Sequence, residues 1–217
     1  MRCIVTAGGT VESLDQVRRL TNFSTGRLGT ELAGLLVSAG HEVTLFRSRS
    51  SSAPPAPPSI GVVDFESTAD LASRFLEFAT DEPIALFHAA AVSDFGVGLV
   101  YQRNGDGSLR AVCSSKYSTR LGNLLVELRP TPKLLPSLRE WYPNAEIFGW
   151  KYEVEGTMKD ALDAGWRQLQ EGRTTGCVVN GPAHGPGFSV LSVDGSIVAT
   201  SDSTGLLNHL VRLLPAP

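Results

Sequence analysis

The feature that most restricts the fold is an alternation of two rhythms. Short apolar runs recur at Cys3 to Thr6, Val43 to Phe46, Ile60 to Phe65, Ile84 to Ala89, Ala145 to Trp150 and Thr175 to Asn180. Between them lie stretches whose apolar residues return at helical spacing, such as Leu28, Leu32, Leu35 and Leu36 within Ser24 to Ala39. Compact runs flanked by turn residues read as buried strands, and the intervening periodicity reads as amphipathic helices. Strand, helix, strand in repeated succession gives parallel pairing, because a parallel connection needs a crossover long enough to hold a helix. The expected architecture is therefore a three-layer α/β/α, Rossmann-like sheet, mainly parallel, in a single domain over residues 1–217.

Further helices are expected at Thr68 to Ala79, Met158 to Gln170 and Thr204 to Leu214, with another opened by Pro132 at a position where its missing N–H costs nothing. The rhythm fails in two places. Arg47 to Pro58 is mostly Ser, Pro, Ala and Arg, has little to bury, and is expected to be a mobile loop. Between Gly96 and Pro130 the turn-forming Asn104-Gly105-Asp106-Gly107 and strand-like Leu109 to Cys113 and Leu124 to Leu128 predict a β-hairpin flap or dimerisation arm. A terminal hairpin is expected around Asp194-Gly195.

Composition narrows the function. With 42% hydrophobic residues the chain can bury a substantial core, and a net charge of -3 without a basic block argues against a nucleic-acid partner. No apolar stretch approaches the roughly 20 residues of a membrane helix, so no membrane partner is expected. Met1-Arg2-Cys3-Ile4-Val5 runs at once into glycines and does not read as a signal peptide, which makes cytoplasmic residence the default expectation. Cys3, Cys113 and Cys177 are odd in number and far apart, against both structural disulfides and a zinc site.

Two glycine-bearing loops lie where a parallel sheet would place ligands, at the carboxyl edge of its strands. Thr6-Ala7-Gly8-Gly9-Thr10 follows the first strand, and Thr21-Asn22-Phe23-Ser24-Thr25-Gly26-Arg27-Leu28-Gly29 enters the first helix, whose unpaired N–H groups suit a phosphate. Tight helix–sheet packing is the alternative explanation of Gly26 and Gly29. Asn22 is either a helix cap or an amide that orients an acyl or carboxylate group. After the fourth core strand, Ala89-Ala90-Ala91 would let a flat group approach the backbone, and Asp94 sits just past the strand end. His88 reads as a satisfied core or edge histidine in preference to a base. Lys116, in isolation, reads as a solvated lysine.

Taken together, the strings VTAGGTVESLDQVRRLTNFSTGRLG, AAAVSDF, PTPKLLPSLREWYPNAEIFGWKYEVEG and CVVN resemble the phosphopantothenoylcysteine synthetases over nearly the whole chain. The resemblance implies a phosphopantothenate–cysteine ligase of coenzyme A biosynthesis. In that reaction the carboxylate of 4'-phosphopantothenate is activated as an acyl-nucleotidylate with CTP or ATP and Mg2+. Pyrophosphate leaves, and L-cysteine then forms the amide. It also implies a homodimer paired through the flap. Carried onto this sequence, it makes Asn22 and Lys116 catalytic and assigns Arg18 and Asn22 to the substrate. It gives the nucleotide Gly8, Gly9, Ser24, Gly26, Ala90, Asp94 and Lys116, then Pro132, Lys133, Leu134 and Leu135 after the flap, and Trp150.

Lys116 would supply a mobile cation to the phosphates, and Asn22 an uncharged contact to the oxyanion. Where bacterial members carry further flap lysines, this chain reads Lys116-Tyr117-Ser118-Thr119, and its late helix reads Arg167-Gln168-Leu169-Gln170-Glu171. These departures leave CTP and ATP both open. A flavin-dependent decarboxylase domain, fused to bacterial members, has no room in 217 residues, so a stand-alone enzyme is expected. Two other readings compete: a non-catalytic nucleotide-binding or regulatory descendant, and an NAD(P) oxidoreductase, which lacks a clean glycine fingerprint here.

Overall fold

Six parallel strands form the middle and one end of the principal sheet in the computed structural model, which describes residues 1–215. In chain order the elements begin with β1 (Arg2–Ala7), the short strands β2 (Val11–Ser13) and β3 (Arg19–Thr21), α1 (Arg27–Ser38), β4 (Glu42–Ser48) and β5 (Gly61–Phe65). Next come α2 (Thr68–Glu77), β6 (Ala85–His88), β7 (Phe95–Arg103), β8 (Leu109–Val112) and β9 (Leu124–Pro130). The chain continues through α3 (Leu134–Trp141), β10 (Glu146–Tyr152), α4 (Met158–Gly172), β11 (Gly176–Asn180), β12 (Phe188–Ser192), β13 (Ile197–Thr200) and α5 (Ser203–Leu213). The eight-stranded order is β13-β12-β11-β10-β6-β1-β4-β5, with β12 and β13 antiparallel at one edge.

Period-two alternation along the strands sorts their side chains into two cores. Cys3, Val5 and Ala7 of β1 face α1 and α5, packing with Leu32, Leu36, Leu206 and Leu210. Ile4 faces the other way, with Phe46, Leu86 and Ile147, against Leu71 and Phe75 of α2 and Leu134 and Leu138 of α3. On that second face α4 covers Cys177, Val179 and Leu191. The three-layer α/β/α expectation holds, and both faces of β1 are buried as its continuous apolar run requires.

Several local expectations are corrected. The segment after β1 is not plain loop, since β2 and β3 form a hairpin within it. Between 95 and 130 there are three strands in the order β8-β7-β9; the expected hairpin lacked β7, whose Gly96 and Gly98 interrupt its alternation. This sheet leaves Leu99, Leu109, Val126 and Leu128 exposed. The 47–58 loop, expected to be mobile, is tied down: Arg47 donates to the carbonyls of Ala53 and Pro54, and the Ala53 N–H donates to the Thr25 carbonyl at 3.0 Å. Low apolar content misled because the loop is held by polar bonds. Pro132 lies before the first helical residue, Leu134, and Lys133 is the N-cap of α3.

Candidate functional site

Strand order reverses between β1 and β6, and the loops leaving their carboxyl ends diverge to open a cleft of about 1080 Å³. Its walls are the entry to α1, the 88–94 loop after β6, the entry to α3, the end of β10 and one side of α4. Four basic side chains (Arg27, Lys133, Lys151 and Arg167) and two acidic ones (Asp94 and Glu171) line it; Arg27 pairs with Glu31 at 2.6 Å, Lys151 with Glu153 at 3.0 Å and Lys133 with Asp94, which leaves Arg167, among the described residues, as the lining cation outside any ion pair.

The helix ends around this cleft differ from the others. Asp202 and Ser67 cap α5 and α2 by accepting from Gly205 N–H and Asp70 N–H, and Thr157 and Asp160 form a reciprocal capping box on α4. α1 and α3, whose first turns line the cleft, have no side-chain cap from Gly26 or Lys133 and no acidic residue in the first turn. The Arg27 N–H makes only a long, 3.3 Å bond to Thr25 Oγ1. Gly26 can turn into α1 because it adopts φ 76°, a left-handed conformation without penalty for glycine.

Of the residues singled out from the sequence, Asn22, Ser24, Gly26, Ala90 and Asp94 line the cleft, as do Pro132, Lys133, Leu134, Leu135 and Trp150. Gly8, Gly9, Arg18 and Lys116 lie outside its lining. Gly8 and Gly9 sit behind it: the Gly8 carbonyl accepts from Ala91 N–H at 2.9 Å and the Gly9 carbonyl accepts from Ser48 Oγ at 2.7 Å. They shape the 88–94 loop from beneath. Arg18 turns to Asp15, with an N–O distance of 2.8 Å, and to the Tyr117 carbonyl.

Asp15, its side chain without solvent exposure, also accepts from the N–H groups of Val17, Arg18 and Tyr117. Desolvation works to raise its pKa, but those three N–H bonds and the Arg18 charge outweigh it and hold the pKa at about 2. Asp15 and Arg18 therefore latch the 113–119 segment to the β2–β3 turn. Lys116 is exposed on that segment.

Asn22 is committed as well. Its Nδ2 donates to the carbonyls of Val92 at 3.1 Å and Ala91 at 3.4 Å, which fastens the α1 entry to the 88–94 loop. Asp94 accepts an ion pair from Lys133 across the rim, both groups largely in solvent. Among the described residues no three His, Cys, Asp or Glu side chains converge as a metal-binding set. Burial pushes the thiol pKa of Cys3 up to about 11 and of Cys177 up to about 12, so both are inert packing. Residues the sequence reading gave no role, Arg27, His88 and Arg167, also line the cleft. A helical stretch does not announce which of its turns will reach a cleft; only the register of α4 against β10 places Arg167 there.

An open α/β sheet with a cleft at its switch point, faced by two uncapped helix N-termini, defines a small-molecule-binding domain of the doubly wound class. Within that class, residues 1–190 match the family described as DNA/pantothenate metabolism flavoprotein C-terminal domain, and the chain belongs to that family. It is 30% identical over 179 residues to the coenzyme A biosynthesis bifunctional protein CoaBC of Thermococcus kodakarensis, covering 82% of this chain and 41% of that protein. It is 29% identical over 161 residues to a cysteine/cysteine sulfinic acid decarboxylase from an unknown prokaryotic organism, covering 74% of this chain and 41% of that protein.

The chain thus spans about two fifths of the length of these relatives. Among solved structures, the DNA/pantothenate metabolism flavoprotein of Streptococcus pneumoniae superposes with a TM-score of 0.85 at 25% identity, over 98% of this chain and 97% of that one. A Cab2 mutant in complex with phosphopantothenate-cysteine shares the fold, with a TM-score of 0.71 at 18% identity over 98% of this chain and 85% of that one.

These findings correct the ligase expectation. The family is described as a flavoprotein, one relative carries a decarboxylase name, and none of the descriptions above names a nucleotide-dependent amide ligase. The expected phosphopantothenate–cysteine ligase activity is set aside. So are its co-substrates CTP or ATP and the joining of 4'-phosphopantothenate to L-cysteine. The geometry gives a physical reason: Lys116, on which charge neutralisation rested, lies outside the cleft lining, and both Asn22 N–H donors are engaged by backbone carbonyls.

The word flavoprotein implies a flavin, whose three-ring system needs apolar surface on both faces of a flat slot. Phe23 in the cleft is fully exposed, and Trp150 and Tyr152 are two residues apart on β10, side by side instead of across a slot. These residues do not fit a flavin.

Proposed function

We propose that the cleft binds a phosphopantothenate–cysteine conjugate, the class of molecule with which the Cab2 structure is described, as part of coenzyme A biosynthesis. The observation that carries this reading is the pair of uncapped helix N-termini facing one cleft. Such a conjugate is anionic at both ends, with a phosphate at one and the cysteine carboxylate at the other. Free N–H groups and the positive end of a helix dipole attract each anion without a charged side chain having to be buried. At α3 the available donors are Leu134 and Leu135, because Pro136 has no N–H. Arg167 adds charge around the lining.

Isothermal titration with phosphopantothenoylcysteine and with its dephosphorylated form tests this. A phosphate held by charge-assisted bonds is worth about tenfold or more in affinity. Equal affinity for the two forms, or no binding of either, refutes the proposal.

A further inference from the structure

His88 is a buried titratable group that reads from the sequence as a satisfied histidine, and the structure shows it only half so. It ends β6 at the centre of the sheet, level with Thr6 of β1 on one side and Gly149 of β10 on the other. Only 7% of its surface is exposed, yet it lines the cleft. One edge is fully specified. The Ala90 N–H donates to Thr6 Oγ1 at 3.0 Å, and Thr6 Oγ1 lies 2.9 Å from His88 Nδ1.

Thr6 is itself wholly buried, so its hydroxyl hydrogen needs an acceptor, and Nδ1 is the one within reach. A nitrogen that accepts carries no proton. The proton of the neutral ring must therefore sit on Nε2. Among the described residues Nε2 has no protein acceptor, and it is not one of the polar atoms sealed away from solvent without a partner. With the ring 7% exposed and lining the cleft, this nitrogen is the polar edge that remains for a ligand.

We infer that His88 presents an uncharged Nε2–H donor at the floor of the cleft and that its acceptor is a neutral amide carbonyl oxygen of the bound conjugate. The assignment rests on the ligand proposed above and deepens it. The two uncapped helix ends suit the two anionic ends of such a molecule, and the polar groups between those ends are its amides. A neutral donor suits a neutral carbonyl, whereas a charged imidazolium would compete for the phosphate. Burial keeps the ring uncharged by pushing its pKa down to about 4. The ring is held in orientation by its edge contact with Phe75, the centroids 5.5 Å apart. The small residues Ala89, Ala90 and Ala91 that follow leave the floor open to the ligand backbone.

The test uses the whole chain with histidine labelled by 15N. In the free protein at pH 7 the two-bond correlations of His88 should show Nδ1 unprotonated and Nε2 protonated; the opposite tautomer overturns the inference at once. Phosphopantothenoylcysteine should then shift the Nε2 resonance. H88F keeps a ring against Phe75 but has no donor. It should bind the conjugate on the order of 3- to 10-fold more weakly, the value of one neutral hydrogen bond, while binding inorganic phosphate as wild type does. Equal weakening toward both probes means the cleft has been distorted and refutes the carbonyl contact. Conjugate binding to wild type with Nε2 unmoved overturns the role of His88 alone. A wild type that does not bind the conjugate overturns the proposed ligand, and with it the carbonyl partner.

Discussion

Two glycines five residues apart on α1 should respond to the same substitution with opposite sign. Gly29 faces β1. A methyl group there would meet the Thr6 carbonyl oxygen at 2.7 Å and the Ala7 Cβ at 2.9 Å, with the Ala7 Cα at 3.3 Å. Relaxed carbon contacts lie at about 3.5–4.0 Å, so G29A must lift the start of α1 off the sheet by roughly 0.6–1 Å. No flexible side chain can absorb this, because the obstacle is the backbone and first carbon of a central strand. Overpacking of this kind costs about 1–3 kcal/mol, against a gain of up to about 1 kcal/mol from replacing a helical glycine.

The balance spans about 0–3 kcal/mol of loss, centred on about 1.5 kcal/mol, which in a domain of this size lowers Tm by roughly 3–6 °C at the centre of that range. Gly34 has nothing within 4 Å of the corresponding methyl position. There G34A brings only the reduced freedom of the unfolded chain, about 0.4–1 kcal/mol of stabilisation. Calorimetry and urea denaturation of both variants provide the comparison. Since Gly29 stands in the first turn that lines the cleft, G29A should also weaken binding of inorganic phosphate, whereas G34A should not. A G29A protein as stable as wild type, or a G34A protein destabilised as much as G29A, would show that close approach of α1 to β1 is not what requires glycine.

Two further outcomes concern pH. Buried His88 has its pKa lowered from 6.5 to about 4, so the unfolded chain takes up a proton that the folded chain refuses. Its contribution to stability is complete above about pH 6.5 and is lost progressively as pH falls toward 4, a total on the order of 3 kcal/mol. Burial lowers the pKa of His41 and His209 with the same sign. Urea unfolding at pH 7, 5 and 4 should show the decline, and H88F should flatten it. Asp15 works at lower pH: its folded pKa is held at about 2 against an ordinary 3.8, so its contribution is present above pH 3.8 and is lost as pH falls through 2. D15N should speed amide hydrogen exchange at Gln16 and Tyr117 at neutral pH; unchanged protection there would refute the latch.

The layers were legible in the sequence because burial on both faces forces a strand to be apolar throughout, and a parallel crossover forces a helix between strands. Those constraints are local and periodic, and they located β1, α1, β4, β5, α2, β6, β10, α4 and β11 to within a few residues. β7 escaped because its glycines interrupt the alternation, and β2 and β3 because three-residue strands have no period to detect.

The cleft was half legible. Gly26, Asn22 and Asp94 could be picked out because loops at the carboxyl ends of parallel strands are where ligands bind, whereas Lys133 came only from the family resemblance. Their working state could not. Whether Asn22 offers its amide to a ligand or to Val92, whether Arg18 faces a substrate or Asp15, and whether Lys116 reaches the cleft all depend on contacts between residues far apart in the chain. His88 marks the division most clearly. Its place at a strand end is written in the sequence, but the proton on its second nitrogen is fixed by Thr6, 82 residues away, and only the parallel register of β1 against β6 brings that hydroxyl to the ring.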